Sequence, residues 1–313
     1  LLYKASIVTT PTAYGVGVLN SIKPAIPVGG ADFDFTRTSS ATRVNPDYLI
    51  ETVSINSDEL VQNGNFSELG SELVTNGDFE TDSNWTKGTG WSISNGKAVS
   101  NSSTSSIYQA TGSNYTSGKT YKIVFTVSDY VSGSVRPEIT NVIGSNVSSN
   151  GTFTQYIVAT SSPIGEELKA VNFVGSIDNV SVKQVDPNDN WSLLNGSTIN
   201  EGVAKVIAAG NIGGLNSRWS LKQTVFEANK NYRVKFKARQ TSGSGNLQVS
   251  RDFFPFIDQA ITSSFVEYDI TFNSGSASFS GFLVFGGRTS GNIFEVTNIS
   301  VIEIQENGVP RLD

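Results

Sequence analysis

The chain has 313 residues, with 22 Lys plus Arg against 28 Asp plus Glu, a net charge of −6 and a sequence pI of ≈ 4.9. Cys, His and Met are all absent, which excludes disulfides, Ser–His and Cys–His dyads, and thiolate or imidazole metal sites. An acidic balance with only 16% charged residues offers no basic footprint to a nucleic acid, and no apolar run is long enough for membrane insertion.

Ser, Thr and Asn together make up nearly a third of the chain beside 30 Gly, a composition that favours turns and solvated strand faces over helices. The 18 Phe, 10 Tyr and 4 Trp still supply a core, unlike the profile of a disordered chain. With no initiator methionine, the chain is expected to be processed or to be part of a longer product.

In chain order, Leu1–Gly17 carries Lys4, Thr9, Thr10 and Pro11 inside its apolar stretch and makes a poor signal peptide. Two similar opening strands follow back to back: Glu59-Leu60-Val61-Gln62-Asn63-Gly64-Asn65-Phe66, then Glu72-Leu73-Val74-Thr75-Asn76-Gly77-Asp78-Phe79. Tyr121, Ile123, Phe125 and Val127 fall on one face of an alternating run, and Tyr232, Val234, Phe236 and Ala238 alternate with cationic residues, the pattern of half-buried antiparallel strands. Asn-Gly, Ser-Gly and Gly-Gly turn signals separate such runs. The one helix-like stretch, Gly165–Ala170, is too short to stand as a helix. The expected class is all-β: two homologous antiparallel β-sandwich (jelly-roll) domains plus a small N-terminal segment.

The homology between the sandwiches is read from an internal repeat. Asn84-Trp85-Thr86 matches Asn190-Trp191-Ser192, and Gly96–Val99 matches Gly202–Lys205. Tyr121 and Phe125 match Tyr232 and Phe236, and Tyr156–Val158 answers Tyr268–Ile270. Asp178-Asn179-Val180-Ser181-Val182 matches Thr297-Asn298-Ile299-Ser300-Val301. Two opening strands precede the first body and none directly precedes the second. Nesting accounts for this: 58–70 opens the second sandwich (187–305), and the first sandwich (71–186) is inserted between them. Tandem domains with a decayed duplicate in the linker are the alternative.

Two resemblances rest on these residues. Leu73–Glu80, Trp85 and the closing Ile177–Val182 resemble the carbohydrate-binding-module jelly rolls appended to glycoside hydrolases. Phe33-Asp34-Phe35-Thr36-Arg37-Thr38-Ser39-Ser40-Ala41-Thr42-Arg43-Val44-Asn45, continuing to Leu49-Ile50-Glu51, resembles a segment of tailed-bacteriophage virion proteins, mostly tail-fibre and receptor-binding proteins. In those proteins a Val-Pro-Arg-x-Asp motif follows closely, whereas here Val309–Asp313 stands at the far end, so 1–57 is expected to be completed by 306–313, with the modules inside it. Tyr48 stands near the position of that pattern's glycine. The resemblance implies a structural protein of a phage particle (a fibre, spike or appendage) localised to the virion. Other virion proteins and host-surface glycans are the implied partners, and a homo-oligomer, by analogy a trimer, is the implied assembly. A secreted bacterial polysaccharide-binding or adhesin module is the alternative. Neither reading is an enzyme.

Carboxylates are the remaining acid/base groups, but Asp32/Asp34, Glu166/Glu167 and Asp186/Asp189 lack the buried aromatic context a glycosidase pair needs. The resemblance to carbohydrate-binding modules implies a structural Ca²⁺ at Asp78, Glu80 and Asp178, completed by backbone carbonyls. The second copy has Asn65, Ser67 and Thr297 there and should hold none. Exposed aromatics can stack on sugars. Trp85 and Trp191 are repeated and read as core. The carbohydrate-binding candidates are Trp91, Tyr108, Tyr115, Trp219 and Phe254, beside Tyr130, Phe253 and Phe256, with packing as the competing role for each.

Overall fold

The computed structural model describes residues 41–44, 50–53, 55–110, 114–160, 165–200, 202–210, 219–276 and 280–305. The expected pairing of Val309–Asp313 with Phe33–Glu51 falls mostly outside these residues. Within that segment, Ala41–Val44 and Ile50–Val53 form an antiparallel pair.

No α-helix occurs among the described residues. The helix-like stretch at Gly165–Ala170 instead begins a strand, Glu166–Val185, because Leu168 and Ala170 alternate into the core. Tyr121, Ile123, Phe125 and Val127 are buried on one face of Thr120–Ile139, as are Tyr232, Val234, Phe236 and Ala238 on Asn231–Ser242. The architecture is all-β, with two antiparallel β-sandwiches of the jelly-roll class.

In the first sandwich, Thr120–Ile139 and Glu166–Val185 pair along most of their length within one nine-stranded sheet. Register shifts at Val171/Val174, Val174/Ser176 and Asp178/Ser181 bend the pair, as bulges do. Lys97–Ser103 and Ser106–Tyr108 flank one of these strands and Gly151–Val158 the other. Phe79, Trp85, Tyr121, Phe125 and Phe173 fill the core. The second sandwich has two separate sheets. One runs in the order Ser192–Leu193, Trp219–Thr224, Phe282–Gly286, Leu247–Arg251, Phe254–Gln259. The other runs Thr198–Asn200, Val203–Ile207, Ile293–Gln305, Asn231–Ser242, Val266–Asn273, with Ile55–Asn56 added to Ile293–Gln305. Phe66, Trp191, Leu221, Phe236, Phe285 and Phe294 share its core.

The two opening segments make the same bonds in different sandwiches. Glu72 Oε1 accepts the amides of Val74 and Val182, and Glu59 Oε1 those of Val61 and Val301. The Val180 amide donates to the Gly77 carbonyl, and the Ile299 amide to that of Gly64. A β-carbon on either glycine would collide with the facing backbone of Val180 or Ile299. Gln109 brackets the backbone of Thr75, donating to its carbonyl and accepting its amide, and Gln223 does the same to Gln62. Trp85 packs tilted against Phe79 (5.0 Å) and Trp191 against Phe66 (5.2 Å). The segment Glu59–Phe66 is thus built into the second sandwich, and the first is inserted between Phe66 and Trp191.

The insertion is clasped at its base. Buried Asp186 accepts from Asn63 Nδ2 (2.9 Å), Asn190 Nδ2 (3.0 Å) and the Trp191 amide (2.9 Å), while its own amide donates to the Glu68 carbonyl. Glu68 accepts from the side chains of Asn188 and Asn190.

Candidate functional site

The structure buries several of the aromatic residues singled out for sugar contact. Trp91 is 7% exposed, donates its indole N–H to the Ser105 carbonyl and packs against Phe173. Tyr115 is buried edge-on against Tyr121, with its hydroxyl on Glu166 (2.6 Å). Trp219 is 8% exposed, stacked on Phe253 and meeting Phe282 edge-on. None of these three offers a free ring face, so the direct platform role is corrected to packing. Trp85 and Trp191 are buried too. Tyr108 is half-buried on a strand of the first sandwich.

Phe254 differs, at 60% exposure. It follows the tight turn Asp252–Phe253 that joins Leu247–Arg251 to Phe254–Gln259, with Arg251 opposite Phe254 in the ladder. The Arg251 guanidinium lies over the Phe254 ring at 4.9 Å. Phe253 is also exposed, and Trp219 backs it at a ring separation of 5.0 Å. Behind Phe253 lies the outer face of the five-stranded sheet, whereas Phe254, paired with Arg251, lies at the turn on the opposite side of the ladder. Along Leu247–Arg251 and Phe282–Gly286, Leu247, Val249, Leu283 and Phe285 point to the core, leaving Gln248, Ser250 and Val284 on the other face.

Polar groups border this surface. Asp258 accepts from Asn246 Nδ2 (3.0 Å) and Gln248 Nε2 (2.9 Å), and Arg288 pairs with it at 3.1 Å. Lys222 lies over both the Phe282 ring (4.0 Å) and the Trp219 ring (4.9 Å). Sequence reading missed Lys222, Gln248, Asp258 and Arg288, since each sits on or beside a separate strand and only the sheet brings them together.

A second convergence occurs where the metal was expected. Ala98 stands opposite Ile177, so the Gly96–Lys97 turn lies beside Asp178. A β-carbon on Gly96 would meet Glu80 Oε1 at 3.6 Å and the Asp78 carbonyl at 3.8 Å. Among the described residues no three acidic side chains form a cluster able to hold an ion, so any shell here would use carbonyl oxygens as well. The equivalent corner of the second sandwich closes on itself: Thr297 Oγ1 donates to the Gly202 carbonyl at 2.6 Å.

No protein-family profile and no curated protein matches the chain. Among solved structures it is similar to the CBM22-1–CBM22-2 tandem of Paenibacillus barcinonensis Xyn10C, at 11% identity over 76% of this chain and 99% of that one, with a TM-score of 0.30. The xylan-binding CBM22-1 domain of the same protein is similar at 10% identity over 37% of this chain and 86% of that one, TM-score 0.28. A CBM4 structure is similar at 12% identity over 36% and 76%, TM-score 0.26.

Proposed function

We propose that the chain is a non-catalytic glycan-binding protein whose second sandwich carries the binding surface and whose first is a structural module. The supporting observation is the exposed Phe253, backed by Trp219 and bordered by Lys222, Gln248, Asp258 and Arg288, with the more exposed Phe254 next to it at the turn. Flat apolar faces beside amide, cationic and carboxylate groups suit the C–H faces and hydroxyls of sugars. In this reading Trp219 stiffens Phe253 from behind. The test is native electrophoresis through gels containing a soluble polysaccharide. Retardation of the wild type that disappears in Phe254→Ala, with an unchanged melting profile, supports the reading.

Calcium in the first sandwich belongs to the same proposal. Glu80 and Asp178, with carbonyls such as that of Asp78, would hold it; the ion would tie the opening turn to the closing strand and supply no chemistry.

A second reading places the protein on a phage particle as an oligomeric appendage, by analogy a trimer. It rests on the resemblance of Phe33–Glu51 alone. Immunogold electron microscopy of the source material tests the location, and light scattering tests the assembly.

A further inference from the structure

We infer that Asp252 determines specificity at this surface by accepting a hydrogen bond from one hydroxyl group of a neutral sugar; the inference rests on the glycan reading above. Asp252 occupies the left-handed region (φ 48°) in the turn beneath Phe253, a conformation Asp tolerates better than bulkier residues. Its amide donates to the Phe282 carbonyl at 2.9 Å, and its Oδ2 accepts the Gly281 amide at 3.2 Å. The side chain is therefore fixed. Its Oδ1 is buried and receives no hydrogen bond, in a residue only 2% exposed. A buried carboxylate oxygen left without a donor is unfavourable, so an outside donor gains there what the fold does not provide.

The space beside it fits such a donor. Asp252 lines a cavity of ≈ 10 Å³ with Trp219, Gln248, Ser250, Phe253 and Pro255. That volume holds about one water-sized group. It is too small for a sugar ring and right for a single hydroxyl reaching in from a ring seated on Phe253. Trp219 adds a complementary donor. The indoles of Trp85, Trp91 and Trp191 each donate to a backbone carbonyl, whereas Trp219 makes no such bond among the described residues. A hydroxyl can both give and take a hydrogen bond. A uronate carboxylate would bring like charge against Asp252 and has no proton to offer, so the surface should favour neutral glycans over polyuronates.

The experiment uses the full chain in native gels containing barley β-glucan, birchwood xylan, galactomannan or polygalacturonate. Asp252→Asn keeps the shape and an oxygen for the Gly281 amide while turning the unpaired position of Oδ1 into a donor. We expect retardation by at least one neutral polysaccharide, none by polygalacturonate, and a loss of about tenfold or more in Asp252→Asn. Unchanged binding in Asp252→Asn, with Phe254→Ala inactive, would leave the glycan reading intact and overturn the role of Asp252, assigning its cavity to a resident water. Wild-type retardation by polygalacturonate equal to that by the neutral gels would overturn the inference too, whether or not the variant folds. No retardation in any gel would remove both readings.

Discussion

The indole N–H of Trp191 donates to the carbonyl of Asn63 at 3.1 Å, across 128 residues of chain. Trp85 makes the same bond to Asn76 at 2.9 Å across only nine. The difference is the inserted sandwich. Where the first sandwich joins Phe79 to Trp85 by a short loop, the second makes the same join by way of a whole domain.

That relationship predicts that the second sandwich survives removal of the first. Replacing 67–189 with Glu80–Ser83 should restore the loop form, since Thr81 and Ser83 satisfy the Asn76 side chain much as Glu68 and Asp186 satisfy that of Asn63. The product should unfold cooperatively in urea, weakened by about 1–3 kcal/mol because buried Val185 is lost from the core. A product without a cooperative transition would contradict the nested arrangement.

Single substitutions should separate the two domains. Trp191→Ala is expected to lower the stability of the second sandwich by about 3–5 kcal/mol, and Trp85→Ala that of the first by a similar amount. Calorimetry should show each variant shifting one transition and sparing the other.

Asp186→Ala removes the acceptor shared by Asn63, Asn190 and the Trp191 amide. Leaving those donors unpaired at a buried position should cost about 3 kcal/mol in the second sandwich. Chemical denaturation followed by Trp191 fluorescence would measure it.

Chelation should act on one sandwich only. If Glu80 and Asp178 hold calcium, EDTA should lower the transition of the first sandwich by about 5 °C or more. The second, where Thr297 already satisfies Gly202, should not respond. Identical melting with and without chelator removes calcium from the account.

Acid sensitivity has a defined source on the surface of the second sandwich. The two-pronged bond from Arg233 to Asp269 (2.7 and 2.6 Å), with help from Lys235, holds the Asp269 carboxyl at about 2, below its ordinary 3.8. A depressed folded value means the contribution is present above about pH 4 and is lost as pH falls toward 2. The pair is solvent-exposed, so screening keeps the effect to about 0.5 kcal/mol. The gap in urea stability between wild type and Asp269→Asn should close over that window.

Much of the fold can be read from pattern. The alternation at Tyr121–Val127 and Tyr232–Ala238 specifies strands because only period-two burial suits those residues, and the doubled opening segment carries the nesting in plain view. Gln109 and Gln223 could not be read this way. Their role is to imitate a strand's backbone for a neighbour far away in sequence, and nothing local marks a glutamine for that. Trp91 and Trp219 misled for a related reason. Falling outside the repeat makes a tryptophan a candidate for binding, yet the repeat reports only which core positions the two domains share, and each domain also buries aromatics of its own. Phe254 was legible as an aromatic beside a turn, whereas the polar border around it depends on sheet order.

The short pairing of Ile55–Asn56 with Ile304–Gln305 has a mechanical consequence. Because these partners are antiparallel, the chain before Ile55 and the chain after Gln305 leave from the same end of the ladder. Tension applied through those two points peels hydrogen bonds one at a time, beginning at Gln305, instead of shearing many together. The first sandwich stands outside that line of force, since both of its connections, at Leu69 and Val185, return into the second. It bears no tension until the second has opened. Under a steady pull the protein should therefore lengthen in two ordered steps, the outer domain yielding before the one it carries.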